Sequence, residues 1–171
     1  MQALIQFFIE LCLLRKAPQD LPGSDVLFRL TLAADLVVGV LVGLAAGLSV
    51  TTGLLQGGLE IAMMLGALYG ALMLTGHPAR FQQAATALLG TGALIGIIAV
   101  APLAMNATGT EETDAAALGA VMLMALMLWS VVVTGHILRH AFAITLGQGA
   151  AVAVAFELLA IALLGGLFGG A

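Results

Sequence analysis

The chain has 171 residues, 62% of them apolar and only 8% charged, with a formal charge of −4 and a mean hydropathy of +1.17. Soluble domains carry roughly a quarter charged residues, so this surface cannot face water and its solvent is lipid. Five basic residues are too few for a nucleic-acid footprint, which removes that class of partner.

Residues 1–16 open with MQALIQFFIELCLL, in which Gln2, Gln6 and Glu10 share one helix face and the rest is Leu, Ile and Phe. At ~1.5 Å per residue this helix is too short to span a bilayer. It reads as an amphipathic helix lying in the interface, with Phe7 and Phe8 toward the acyl chains; packing against the bundle is the alternative. No basic segment precedes it, so a cleaved signal peptide is not expected. Cys12 is the lone cysteine. It permits no internal disulfide and reads as a buried or lipid-facing thiol, with palmitoylation the sharper alternative. A polar loop follows over 17–25, marked by Pro18, Pro22 and Gly23, with Ser24 or Asp25 placed to cap the next helix.

Residues 26–171 then read as five membrane spans. The first covers about 26–55 and is longer than a bilayer requires, and Gly57-Gly58 is expected to turn the chain. The second covers about 59–74 and ends at Gly76, His77 and Pro78; the third covers about 81–103, with Pro102 near its end. An acidic loop, 106–114, contains Asn106-Ala107-Thr108, which fits the glycosylation pattern. The fourth span covers about 115–137 and the fifth about 143–168, after which no soluble tail domain is expected. The expected fold is therefore all-α integral membrane, a five-transmembrane-helix bundle preceded by a short amphipathic interfacial helix.

With five spans, Arg15, Lys16, Arg29, Arg80 and Arg139 all fall on one side. The positive-inside rule makes that side cytoplasmic, with the C-terminus outside. Four or six spans would scatter these residues over both faces. Arg29 stands one turn after Asp25, at ion-pairing distance along the helix, and is also placed to snorkel to headgroups.

A charge at the bilayer centre costs at least ~2.5 kcal/mol, so intramembrane polar residues are the place to look for chemistry. Asp35 in the first span, Glu60 at the outer end of the second and Glu157 in the fifth qualify. Asp35 belongs to a stripe with Thr31, Gly39, Gly43 and Gly47; Glu157 belongs to one with Gly149 and Gly165. Small residues at four-residue spacing let helices approach closely, so the first and fifth spans are expected to pack along these stripes and bring Asp35 near Glu157. Two carboxylates in low dielectric cannot both ionise cheaply. The pair then reads either as a proton or cation site, or as a protonated acid hydrogen-bonded between helices.

His136 and His140 stand four apart, and His77 falls on the same side. They are weak metal candidates, because zinc needs a third or fourth ligand; the expectation is no metal and no cofactor. Met122, Met124, Met127 and Trp129 read as packing residues. No nucleotide-binding motif, nucleophile elbow or paired-cysteine motif occurs, and Ser130 or Thr134 near His136 is a poor nucleophile–base pair. An enzyme is not expected.

Arg15–Pro22 (RKAPQDLP), Arg80–Gly96 (RFQQAATALLGTGALIG) and Trp129–Leu146 (WSVVVTGHILRHAFAITL) resemble the Yip (Ypt-interacting protein) domain family, in its uncharacterised bacterial inner-membrane branch. In eukaryotes that family implies trafficking and small-GTPase contact through a long soluble N-terminal region, which this chain lacks. The resemblance implies only the five-span bundle. The function expected first is a non-enzymatic structural or accessory inner-membrane protein, acting through lipid, through copies of itself or through a larger membrane complex. The alternative is a small transporter or channel subunit using Asp35 and Glu157 as coupling groups. The two differ in what surrounds those carboxylates: a dry interface in the first, a polar, water-accessible cavity reaching Asp35 and Glu157 in the second.

Overall fold

The computed structural model describes residues 2–106 and 113–168, leaving most of the acidic loop, with Ala107 and Thr108 of the sequon, outside the described residues. Six α-helices follow one another: α1 Gln2–Cys12, α2 Asp25–Ala45, α3 Val50–Leu74, α4 Phe81–Asn106, α5 Asp114–Phe142 and α6 Leu146–Phe168. Single 3-10 turns at Pro18–Asp20 and Pro78–Arg80 carry the chain into α2 and α4. The five long helices are each apolar and long enough to cross a membrane. In three of them only 11% of the most apolar stretch is buried inside the protein. Outward-facing Val37, Leu128 and Leu167 are more than half exposed, a surface that only hydrocarbon solvates well.

The helix starts follow from capping. Ser24 Oγ accepts from Leu27 N at the head of α2, Ser49 Oγ accepts from Thr52 N at the head of α3, and Thr113 Oγ1 accepts from Ala116 N at the head of α5. These caps correct the expected span boundaries. The first span stops at Ala45 rather than near 55, because Gly47 adopts φ +85° and the chain turns there. Gly47 is thus a turn residue and not part of a packing stripe. Gly57 and Gly58 lie inside α3, and Glu60 sits near its middle rather than at its outer end. Pro102 is accommodated within α4, and α5 runs on to Phe142, where Ala143 closes it in a left-handed conformation.

α4 is the central helix, packed on α2, α5 and α1, while α3 leans on α2 and α6 on α5. Glycines set these contacts. A Cβ at Gly90 would overlap the Phe8 ring of α1, and one at Gly96 would stand 2.7 Å from Val38 Cγ1 of α2. Phe8 and Leu11 are consequently buried against the bundle, so α1 turns its Phe8 side to protein rather than to acyl chains. The expected pairing of the first and fifth spans is corrected: α2 and α6 do not pack along one another. Their stripes serve other neighbours. Gly39 and Gly43 face Gly57 and Gly53 of α3, and Gly149 lies against the backbone of Gly135 in α5. Gly165 has nothing within 4 Å of the Cβ it lacks and takes no part in packing.

The loop before α2 is laced across one end of the bundle. The His136 Nε2 pairs with the Lys16 carbonyl at 2.9 Å, and Gln83 Nε2 donates to the Leu21 carbonyl at 2.8 Å. Gln19 Nε2 donates to the His140 carbonyl at 3.2 Å. Arg80 Nη1 donates to the Ala141 and His140 carbonyls at 3.0 and 3.3 Å. Arg15, Lys16, Arg80 and Arg139 therefore gather at the end where α2 begins. Asp25 does not pair with Arg29; its Oδ1 accepts from Gln82 Nε2 at 2.6 Å, leaving Arg29 exposed at the start of α2.

Candidate functional site

The three intramembrane carboxylates arrive from three helices at one level. At ~1.5 Å rise per residue, Asp35 stands about 15 Å into α2 from Asp25, Glu60 about 21 Å from the Leu74 end of α3, and Glu157 about 16 Å into α6 from Leu146. All three line a single cavity of about 470 Å³ enclosed by α2, α3, α4, α5 and α6. The cavity lies where α3 and α6 approach only over a short stretch.

Each carboxylate is positioned by a local feature. Asp35 lies over Gly92 of α4, where a Cβ would stand 2.9 Å from its Oδ1 and would push the carboxylate aside. Glu60 is carried by the α3 segment that begins with Gly57, and is within Coulombic reach of both Asp35 and Glu157. Asp35 and Glu157 are thus linked through Glu60 rather than by direct helix pairing. None of the three forms a hydrogen bond or ion pair with a described residue. Between them the wall is apolar, with Val38, Ile61, Met64 and Phe156 prominent, and its polar points are Thr91, Ser130 and Thr134.

Other candidates fall elsewhere. Thr31 is buried but bonds back to the Leu27 and Phe28 carbonyls of its own helix and does not reach the cavity. The rings of His136 and His140 meet edge to face at 4.7 Å. His77 sits in the α3–α4 turn with its Nδ1 buried and unbonded. Among the described residues no three His, Cys, Asp or Glu side chains come together as a metal ligand set. Ser130 donates to the Met127 carbonyl at 2.8 Å and lines the cavity with Thr134. His136 is instead held to Lys16, so no nucleophile–base pair forms there. Met122, Met124, Met127 and Trp129 face outward. Burial pushes the Cys12 thiol up to about 11, which makes it a poor nucleophile near neutral pH.

Gly92, Gly96 and Thr91 are the site residues that sequence reasoning missed. The signal was present as a small-xxx-small pair, Gly92 and Gly96, in the third span. No protein-family model, no curated protein and no solved structure matches this chain.

Proposed function

We propose that this polytopic membrane protein is a small transporter or channel subunit that couples to protons or cations through Asp35, Glu60 and Glu157. The carrying observation is the cavity of about 470 Å³ at mid-bilayer depth that all three carboxylates line. A carboxylate in such a medium favours a proton or a cation beside it, because either relieves the cost of a bare charge in low dielectric. The structural, membrane-organising role implied by the Yip-like resemblance calls for packed helices and a dry interface around these residues, so the cavity favours the coupling reading over it. In this reading the chain sits in a bacterial inner membrane with the basic end cytoplasmic, and its activity is non-enzymatic.

Reconstitution into liposomes containing a pH-sensitive dye, under an imposed potassium diffusion potential, tests the reading. The protein should admit protons faster than protein-free liposomes. Asp35→Asn, Glu60→Gln and Glu157→Gln should each lower that rate at least about tenfold while eluting as folded protein. Equal rates in all four proteins, or a wild-type rate no faster than bare liposomes, would refute it.

A further inference from the structure

The shape and opening of the cavity narrow the chemistry of what it holds, given the cation-coupling reading above. A volume of about 470 Å³ lies in the ~300–1,000 Å³ range of small-molecule sites and far exceeds the room one metal ion occupies. The carboxylates are spread around this volume rather than gathered: among the described residues no three acidic or metal-ligating side chains come together. Spread charges suit a diffuse cation, whereas a small hard ion demands several oxygens at 2.0–2.6 Å. The wall between the charges is apolar, and Phe142 and Phe156 are among its lining residues; aromatic side chains suit organic cations.

The mouth supplies an independent constraint. Apart from Gly92 of α4, which lies beneath Asp35, the exposed residues of the lining are Glu60 and Ala67 of α3 and Val152 of α6. The opening therefore runs along the α3–α6 seam, at the depth of Glu60, where the surroundings are hydrocarbon. A hydrated inorganic ion does not approach from that side, because it would have to shed its water in lipid. A molecule already dissolved in the bilayer does.

We infer that the cavity binds a monovalent lipophilic organic cation, taken from the bilayer between α3 and α6 and held by Asp35, Glu60 and Glu157 around an apolar body. The probe is tetraphenylphosphonium, and the measurement is equilibrium binding to the full chain in lipid nanodiscs. Saturable binding is expected, displaced neither by a hundredfold excess of magnesium or potassium nor by uncharged triphenylphosphine oxide. Glu60→Gln should weaken it at least tenfold. Ala67→Trp, which narrows the mouth and keeps every carboxylate, should do the same. The wild-type competition decides the matter even if a variant fails to fold. Absence of saturable binding, displacement by the uncharged analogue, or full affinity in both folded variants overturns the inference. Carboxylate-dependent proton entry in liposomes without phosphonium binding removes this ligand class and leaves the coupling reading standing. Failure of both assays removes both.

Discussion

Gly135→Ala probes the close backbone crossing of α5 and α6. A Cβ at Gly135 would stand 2.7 Å from the backbone nitrogen of Ala150 and 2.9 Å from its Cα. Carbon atoms in ordinary contact sit at about 3.5–4.0 Å, and the obstruction is main chain rather than the movable end of a side chain. α6 must therefore withdraw from α5 by ~0.7 Å at the crossing, loosening the contact on both sides of it. Overpacking of this kind costs roughly 1–3 kcal/mol, and the rigid obstacle places this site at about the upper value. Ala returns ~1 kcal/mol through its better helix propensity. The expected net loss is about 2 kcal/mol, on the order of thirtyfold in the folding equilibrium. The assay is equilibrium unfolding in mixed micelles of rising SDS content, followed by far-UV circular dichroism. Gly66→Ala is the matched control: it lies inside α3 with nothing within 4 Å of its Cβ position, so the variant should equal or slightly exceed wild-type stability. Gly43→Ala, whose Cβ would stand 3.3 Å from Gly53 Cα, should fall between the two. If Gly135→Ala is as stable as Gly66→Ala, the α5–α6 crossing is not held by these glycines and the packing argument fails.

Two further outcomes test the basic end and α1. Arg80→Ala should destabilise the protein by about 1–3 kcal/mol in the same assay, because the guanidinium donates to two carbonyls at the end of α5; Arg80→Lys should recover only part of this, since it lacks the planar fork. Cys12 should react with a maleimide at neutral pH at least about tenfold more slowly in the folded protein than after denaturation, because burial pushes its thiol from the ordinary 9.0 to about 11; equal rates would mean that α1 is not seated on the bundle.

The number of spans and the gathering of Arg15, Lys16, Arg80 and Arg139 at one end were legible in the sequence, because length, hydropathy and sparse charge survive without knowledge of neighbours. Which faces meet was not legible. In lipid the outward face of a helix and its packed face are both apolar, so periodicity loses its contrast. α4 illustrates this. Its central position shows only in glycines set for different neighbours: Gly90 for Phe8, Gly92 for Asp35, Gly96 for Val38. The Gly39 and Gly43 stripe marked a close contact, but a stripe does not name its partner, and the partner proved to be α3 rather than α6. The end of the first span was missed for a related reason. A Gly-Gly pair reads as a turn in water, but in a membrane helix Gly57 is a packing surface, while the turn was marked by Gly47 and the Ser49 cap. That shift of register moved Glu60 from the edge of the bilayer to its middle and made it the link between the other two carboxylates.

The placement of those carboxylates is what supports the proposed coupling role over a structural one. Each costs at least ~2.5 kcal/mol at mid-bilayer, and three together exceed what most single packing contacts return. A bundle that used them as glue would set each against a donor on the tightly packed helix, α4, where Thr86 and Thr91 already stand buried. Instead Thr86 and Thr91 bond within α4 itself, and the acids come from α2, α3 and α6, of which α3 and α6 meet over only a short stretch. Glu60, the most exposed of them, lies on that seam. Charge set beside a short helix contact, without hydrogen-bond partners among the described residues, adds little to the stability of the fold. On the coupling reading its cost is offset when a proton or a cation occupies the space between the helices, so substitution to the neutral amides should raise stability in SDS while lowering proton entry.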